Sequence, residues 1–318
     1  MSAYSIPSLR PAPVAPVRRR PQHLRVVAPQ LLLVGNANAS GLVRRPELVD
    51  GAASYLRSLG ASVEARLTAS LEELAATISE AGRRVVLVGG DGSLHAAANV
   101  AGPKPELALL PAGRANNVAR SLGVPVDIKA AARLALAGGA RPLDLIAART
   151  ATSRYLAVEG VSVGFHALAR AQYHGVNSAD LVAGVKAAAR AFAAYRPIAV
   201  GIEADGSDEV ARIGQLFLAN LPLYGPGLHV APGADPQDGL LDLVTIEAES
   251  RRELAGMLRR LRAGAHVGRE GVRVRRTQSV RIATGGRSPV IADTTNLGSG
   301  TVELTVEHAA LWVVGGHR

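Results

Sequence analysis

A short apolar strand that breaks into a glycine-rich turn is the most constraining feature of this chain. Residues 85–88 read VVLV, in which three of the four residues are β-branched, and GGDGS follows at residues 89–93. An apolar run of this length predicts a strand that is buried on both faces, as in a parallel sheet covered by helices. Consecutive glycines at the end of such a strand let backbone N–H groups approach a phosphate chain closely.

The carboxylate of Asp91 lies in the middle of that turn and limits the ligands and reactions that the turn can support. A carboxylate repels phosphate, so its presence there indicates either a divalent cation between the two charges or a residue that handles a proton. Both roles belong to nucleotide-dependent phosphoryl transfer, which we therefore expect. A glycine-rich turn without any ligand is the alternative.

Strand-like and helix-like segments alternate through the first part of the chain. This rhythm predicts an open parallel sheet with helices on both sides. Ligands of such sheets bind at the carboxyl ends of the strands, where residues 89–92 and 111–113 both lie. The predicted strands are 31–34, 62–67, 85–88 and 107–110, and the predicted helices are 46–60, 70–82, 93–101 and a short one that ends at Gly123.

Strand-like runs dominate after about Pro142, and turn residues separate several of them. This pattern predicts a mostly antiparallel β domain with two helical insertions, at about 178–194 and 251–263. The predicted strands are 155–163, 198–203, 213–219, 240–246, 272–274, 280–283 and 302–306.

Composition limits the class of protein. The 318 residues suffice for two ordinary domains, and 48% of them are hydrophobic. The chain has no cysteine, which excludes disulfides, thiolate zinc sites and a thiol nucleophile and fits a reducing cytosol. No apolar run approaches the roughly 20 residues that span a bilayer, and the first 30 residues lack the apolar core of a signal peptide. We therefore expect a cytoplasmic protein.

The net charge of +10 is concentrated in two segments. Residues 1–30 are proline-rich and carry five arginines and no acid, which is typical of a disordered basic tail. Residues 251–287 carry eleven arginines against two glutamates. Such segments favour an anionic lipid surface or nucleic acid. Solubility alone is the alternative.

Residues 250–264 combine that charge with an apolar face. Leu254, Met257, Leu258 and Leu261 fall on one side of the predicted helix, with the arginines elsewhere. A basic amphipathic helix of this kind can rest on an anionic membrane. Packing of the apolar face against the β domain is the other interpretation.

Four segments, in this order and spacing, resemble a known family. They are GGDGS at 89–93, PAGRANNVAR at 111–120, VEGVSVGFHA at 158–167 and NLPLYGPGLHVAPGADPQDGLLDL at 220–243. Together they resemble the diacylglycerol kinase catalytic fold, most closely the small soluble bacterial lipid kinases. The first motif alone also occurs in NAD kinases and phosphofructokinases. The resemblance runs from about residue 31 to the end of the chain.

The resemblance implies a fold of the α/β plus β class with a division into domains. The basic tail 1–30 precedes a three-layer α/β nucleotide-binding domain at 31–145 with the GGDG loop. A mostly antiparallel β-sandwich domain for the lipid substrate follows at 146–304, and the segment 305–318 returns to the first domain.

The resemblance also implies ATP and Mg²⁺ as cofactors. The carboxylates of Asp235 and Asp238 and the carbonyl of Leu240 match a structural Mg²⁺ site, and oxygen ligands suit that hard cation. An Asx turn without metal is the alternative there. The positions matched to nucleotide binding are Asn36, Thr68, Gly89, Gly90, Asp91, Gly92, Ser93, Gly113, Arg114 and Asn116.

The chain departs from the family at its acidic positions. The second motif usually reads Pro-x-Gly-Thr-x-Asn-Asp, but Arg114 replaces the threonine and Asn117 the aspartate. The Asn-Glu pair that usually follows the first motif is His95-Ala96, and we interpret His95 as a packed or solvent-facing histidine because the sequence shows no partner acid.

The missing general base is the most serious departure. The family's Asp-Gly-Glu matches Asp293-Thr294-Thr295, so Asp293 survives and Thr295 replaces the glutamate. Threonine cannot accept the proton of a lipid hydroxyl. General-base catalysis of this kind accelerates a reaction by roughly 10²–10⁴-fold. Asp91 and Asp293 are left to manage a metal ion or the proton, and Arg114 could neutralise phosphate charge.

The sequence therefore predicts an ATP- and Mg²⁺-dependent lipid kinase that phosphorylates a diacylglycerol-like or sphingoid lipid at a membrane surface. Anionic membrane would be contacted through 251–262 and the basic tail, at the inner face of the membrane. No nucleic acid partner is expected, and a homodimer is left open. A non-catalytic nucleotide or lipid binder and an NAD kinase are the alternatives.

Overall fold

The computed structural model describes residues 30–173 and 181–316 of the chain. The predicted basic tail lies outside the described residues except for Gln30. The strands are β1 (Gln30–Asn36), β2 (Ser62–Thr68), β3 (Arg84–Gly89), β4 (Leu107–Pro111), β5 (Ala140–Arg149), β6 (Arg154–Ala157), β7 (Gly160–Gly164), β8 (Ile198–Ala204), β9 (Ser207–Ile213), β10 (Gln215–Ala219), β11 (Leu223–Tyr224), β12 (Leu228–His229), β13 (Leu241–Ile246), β14 (Val272–Thr277), β15 (Ser279–Ala283), β16 (Val290–Ala292), β17 (Thr295–Asn296) and β18 (Thr301–Val314). The helices are α1 (Ser40–Arg44), α2 (Leu48–Ser58), α3 (Leu71–Ser79), α4 (Asp91–Ala98), α5 (Asn117–Ser121), α6 (Ile128–Ala137), α7 (Phe165–Ala171), α8 (Leu181–Ala193) and α9 (Arg251–Ala263).

The first half of the chain forms the predicted parallel sheet. Its strands run in the order β2-β1-β3-β4, and each neighbouring pair is parallel. The central strand β3 is the VVLV segment, and its four apolar residues are each at most 1% exposed. Helices cover this sheet because its strands carry apolar side chains on both faces. The predicted α/β fold is confirmed.

The long strand β18 continues this sheet into the second half of the chain. Val313, near its end, pairs in parallel with Leu107 of β4, whereas its earlier part pairs antiparallel with β15. The complete sheet has ten strands in the order β2-β1-β3-β4-β18-β15-β8-β9, with β5 and β6 off that path. The last part of the chain is thus a strand of the first domain's sheet.

A second sheet of six antiparallel strands runs in the order β14-β13-β10-β7-β16-β17. It shares one buried core with the antiparallel part of the first sheet, so the two form a sandwich. Ile202 and Ile282 come from the first sheet and Val161 and Leu216 from the second. This arrangement confirms the predicted antiparallel β domain.

The structure differs from the sequence prediction at several boundaries. The predicted strand 155–163 is interrupted between β6 and β7, because the backbone N–H groups of Val158 and Glu159 donate to the side chain of Asp293. Helix α4 begins at Asp91 rather than at Ser93, which places most of the GGDGS motif inside its first turn. The elements that were not predicted are helices α1, α6 and α7 and strands β5, β9, β11, β12, β16 and β17.

Helix α9 has the predicted bounds, but its apolar face is not free. Leu254, Met257 and Leu261 are at most 6% exposed and pack into the protein core. The interpretation in which these side chains rest in a membrane is therefore wrong, and packing explains them. Across residues 30–173 and 181–316, no helix combines the length and the hydropathy needed to cross a bilayer.

Candidate active site

Two glycine-containing loops meet at the carboxyl ends of β3 and β4. Gly89 and Pro111 are paired in the sheet, and the N–H of Ala112 donates to the carbonyl of Gly89 at 2.8 Å. A Cβ atom on Gly90 would lie 2.9 Å from the Cα of Gly113, and one on Gly113 would lie 2.6 Å from the Cα of Gly90. The two backbones therefore touch, and side chains at either position would separate them.

We call the place where the loops at Gly90 and Gly113 touch “the corner”. Polar side chains fix its shape. Asn116 adopts the left-handed conformation, with φ of 47°, and exchanges two hydrogen bonds with the backbone of Gly113 at 2.9 and 3.0 Å. Asp91 is half-buried and accepts a hydrogen bond from the N–H of Val118 at 3.0 Å. The Asn116 bonds close the loop after β4, and the Asp91 bond joins the start of α4 to α5.

Gly92 and Arg114 face outward from the corner. A Cβ atom on Gly92 would meet nothing within 4 Å. Arg114 is exposed, and its guanidinium makes no hydrogen bond or ion pair with any residue that the structure describes. The corner thus combines an open backbone with an uncompensated cation, which suits an anionic ligand.

The other positions matched to nucleotide binding are buried in the sheet edge. Asn36 and Thr68 end β1 and β2 side by side, and both are almost fully buried. The Thr68 hydroxyl lies within hydrogen-bond distance of two carbonyls, and the Asn36 side chain accepts from the N–H of Asn38. The buried Ser93 lies against Gly89. These three side chains shape the loops that border the corner.

A buried polar cluster lies behind the corner. The Nε2 atom of His95, on α4, is 3.0 Å from Oε1 of Glu159 and 3.6 Å from Oδ2 of Asp293. The Nδ2 atom of Asn117, on α5, donates to Oε2 of Glu159 at 2.8 Å. All four residues are at most 5% exposed. We call these residues the His95–Glu159 cluster.

The side chain of Asp293 is hydrogen-bonded to backbone N–H groups. Its carboxylate accepts hydrogen bonds from the N–H groups of Val158, Glu159 and Gly160 at 2.8–3.3 Å. Its own backbone has φ of 51°, a conformation that Asp tolerates better than most residues. The buried carboxylate of Asp293 therefore holds the backbone at the break between β6 and β7.

Proton affinities in the cluster are strongly shifted. Burial lowers the pKa of His95, but the charge of Asp293 and the hydrogen bond with Glu159 outweigh burial and raise it to about 9. Burial raises the pKa of Glu159 to about 7, against the opposing effect of His95. At neutral pH His95 is therefore protonated, and the carboxyl of Glu159 is close to the midpoint of its titration.

His95 is packed, as one of the two predicted placements has it, but the prediction that it lacks an acidic partner is wrong. Its partners lie 64 and 198 residues further along the chain, so local sequence could not show them. Glu159 was missed altogether. One signal could have indicated it: Glu159 is the only charged residue in the apolar, glycine-rich segment 156–165. A lone carboxylate in a buried strand is usually paired or functional.

Thr295 lies beside the cluster, two residues after Asp293. It is half-buried, and burial raises the pKa of the nearby Tyr155. Both groups are neutral hydroxyls at ordinary pH, so neither supplies the carboxylate that the family places at position 295.

The residues matched to a structural Mg²⁺ site lie in one turn and make hydrogen bonds within it. Asp238 accepts a hydrogen bond from the N–H of Leu240 at 2.9 Å and forms an ion pair with Arg276. Asp235 accepts from the N–H of Gln237 at 3.2 Å. In the described part of the chain, no group of three histidine, cysteine or acidic residues could hold a metal ion. The turn therefore contains Asx hydrogen bonds and an ion pair, and Mg²⁺ bound to Asp235, Asp238 and Leu240 stays a prediction.

Comparison with known proteins agrees with this architecture. Residues 30–148 match the diacylglycerol kinase catalytic domain, and residues 159–315 match the YegS C-terminal NAD kinase beta sandwich-like domain. A crystal structure of a diacylglycerol kinase from Bacillus anthracis has a similar fold, with a TM-score of 0.62 over 90% of this chain and 97% of that one, at 16% identity.

Curated relatives match over most of their length. A diacylglycerol kinase of Mycobacterium tuberculosis is 30% identical over 227 residues, which cover 67% of this chain and 71% of the relative. A probable lipid kinase YegS-like of Pseudomonas fluorescens is 32% identical over 228 residues, which cover 69% and 74%. With both family domains matched in order, this chain belongs to the diacylglycerol kinase family.

Proposed function

We propose that this protein is an ATP-dependent lipid kinase that transfers the γ-phosphoryl group to the hydroxyl of a diacylglycerol-like or sphingoid lipid. The observation that carries the proposal is the corner where Gly90 and Gly113 touch at the carboxyl ends of β3 and β4. Bare backbone at this place in a parallel sheet, followed directly by a helix N-terminus, is suited to a phosphate chain.

The residues of the corner have distinct roles in this proposal. The backbone N–H groups at the start of α4 bind phosphate oxygens, and Gly92 leaves the space that they need. Arg114 neutralises phosphate charge from the neighbouring loop, in the manner of other arginines that clamp transferring phosphoryl groups. Magnesium would accompany the nucleotide as the counter-ion of its phosphates and would neutralise their charge.

Relatives named diacylglycerol kinase and lipid kinase support a lipid hydroxyl as the acceptor. The alternatives differ in the acceptor. An NAD kinase would phosphorylate a soluble dinucleotide, and a non-catalytic relative would bind ATP without transferring phosphate. The replaced residue Thr295 is what favours the non-catalytic alternative.

One assay separates these functions. Purified protein is incubated with γ-labelled ATP, Mg²⁺ and vesicles that contain diacylglycerol or sphingosine, with NAD in a parallel reaction. Labelled lipid supports the proposed function, and labelled NAD overturns it. ATP binding without any labelled product also overturns it and supports the non-catalytic binder.

Asp91→Asn is expected to lower kcat for lipid phosphorylation by about a hundredfold, the low end of the contribution of a group that handles charge or a proton. Asparagine keeps an oxygen that can accept from the Val118 N–H but removes the negative charge. Steady-state kinetics measure the loss, and Asp50→Asn, on the exposed side of α2, is the matched control. Equal activity of the two variants would remove Asp91 from the mechanism.

Arginines on the exposed side of α9 are proposed to hold the protein at an anionic membrane. Arg259 and Arg260 are exposed while the apolar face of the helix is buried, so the contact would be electrostatic. Pelleting with phosphatidylserine vesicles is expected to weaken several-fold between low and physiological salt and in Arg259→Glu/Arg260→Glu. Arg44→Glu/Arg45→Glu, with the same change in charge on an exposed segment, is the control. Unchanged pelleting would eliminate α9 as the contact.

A further inference from the structure

The family's general base is absent at position 295, yet a carboxylate with suitable surroundings lies nearby. Glu159 occupies the break between β6 and β7, next to Asp293 and close to the start of α4. We propose that Glu159 is the general base of the phosphoryl transfer and that His95 and Asn117 are positioning residues that hold its carboxylate. This inference rests on the proposed kinase function.

The hydrogen bonds of the carboxylates single out Glu159. Asp293 accepts hydrogen bonds from three backbone N–H groups, and Asp91 accepts one that joins α4 to α5. Glu159 accepts from two side chains, His95 on one oxygen and Asn117 on the other. A carboxylate offers about four lone-pair positions, so each oxygen of Glu159 keeps one for a substrate proton. Its side chain is 6% exposed, whereas that of Asp293 is fully buried.

Unsatisfied atoms in the same cluster point to a ligand. The Nδ1 atom of His95 and the Oδ1 atom of Asn117 are buried and have no hydrogen-bond partner among the described residues. Buried polar atoms are rarely left unpaired, because losing water without a replacement costs roughly 1–3 kcal/mol. A substrate hydroxyl could donate to the Oδ1 atom of Asn117, and a phosphate oxygen could accept from the Nδ1–H of a protonated His95.

The charges around Glu159 set its proton affinity. Three ionisable side chains act on its carboxyl: Asp91 on α4 and Asp293 after β16 oppose its charge, and His95, also on α4, favours it. Tyr155, on β6, is a buried neutral hydroxyl near the same carboxyl. Burial is the largest influence and raises the pKa of Glu159 to about 7. A base with this pKa is largely ionised at slightly alkaline pH and still accepts a proton readily.

The chemical step needs no reactant other than ATP and the lipid. The lipid hydroxyl oxygen forms a bond to the γ-phosphorus, and the bond from that phosphorus to the bridging oxygen of ADP breaks. The bridging oxygen keeps the electron pair and leaves with ADP. The hydroxyl proton moves to the carboxylate of Glu159, which becomes a neutral carboxyl and later returns the proton to water.

The first test is Glu159→Gln, assayed with the lipid that wild type phosphorylates. We expect kcat to fall by about 10²–10⁴-fold with little change in the KM for ATP, since the base acts only in the chemical step. Glutamine keeps the shape and an acceptor for His95 or Asn117. Circular dichroism and thermal unfolding check the fold, and Glu80→Gln, on the exposed end of α3, is the matched control.

The pH profile gives a readout that a structural role would not move. In wild type, kcat/KM is expected to rise with an apparent pKa of about 7, as Glu159 loses its proton. In His95→Asn, which restores the family's usual residue and removes a positive charge, the pKa of Glu159 increases and the rising limb moves to higher pH. In Glu159→Gln the limb disappears.

Restoring the family's carboxylate completes the test. Thr295→Glu in the Glu159→Gln background is expected to recover at least about tenfold in kcat, because position 295 borders the same cluster. If Glu159→Gln stays within threefold of wild type and keeps the rising limb, Glu159 is not the base, although the kinase function stands. If wild type labels no lipid, the proposed function falls, and the inference falls with it.

Discussion

Replacing Asp293 by alanine is expected to lower the free energy of unfolding by about 3–5 kcal/mol, the cost of breaking a buried charge pair. The substitution leaves the N–H groups of Val158, Glu159 and Gly160 without an acceptor, and it removes a negative charge 3.6 Å from His95. It also forces alanine into a backbone with φ of 51°. Urea denaturation followed by circular dichroism measures the loss.

Two further variants separate these effects. Asp293→Asn keeps an oxygen acceptor and tolerates the left-handed backbone, so it is expected to lose less stability than Asp293→Ala. Asp50→Ala, on the exposed side of α2, is expected to stay within about 0.5 kcal/mol of wild type. A loss below about 1 kcal/mol in Asp293→Ala would show that the turn between β6 and β7 does not depend on this carboxylate.

Local patterns predicted the scaffold of the corner. Four valines and leucines in a row required a strand covered on both sides, and two consecutive glycines required a close backbone approach. Both features depend on residues adjacent in sequence. The structure places them at one sheet edge because β3 and β4 are parallel neighbours whose carboxyl ends coincide.

The His95–Glu159 cluster could not be predicted in the same way. Its members come together only because β7 pairs with β16, which brings Asp293 to the break before β7, and because α4 packs near β6. Register between distant strands is set by the whole core and not by any local pattern. The sequence could therefore show that the family's carboxylates were missing from their usual positions. It could not show that Glu159 lies beside His95 and Asp293.

Helix α9 illustrates a different limit. Its apolar positions have the same spacing whether they meet a membrane or a protein core, so periodicity alone leaves both open. The structure decides this because Val230, Val244 and Ile246 form a core cluster with Met257 and Leu261. The arginines keep their exposed positions in both cases, which is why the membrane proposal now rests on charge.

A matched pair of glycine substitutions tests the packing that supports the corner. Gly41, in α1, lies against the loop after β4, and a Cβ atom there would overlap the carbonyl oxygen of Ala112. We expect Gly41→Ala to lower the free energy of unfolding by about 1–3 kcal/mol, as overpacking does. Gly51, in α2, has nothing within 4 Å of such an atom, so Gly51→Ala should raise it by about 0.5–1 kcal/mol. Urea denaturation measures both, and equal changes of the same sign would contradict a close approach of α1 to this loop.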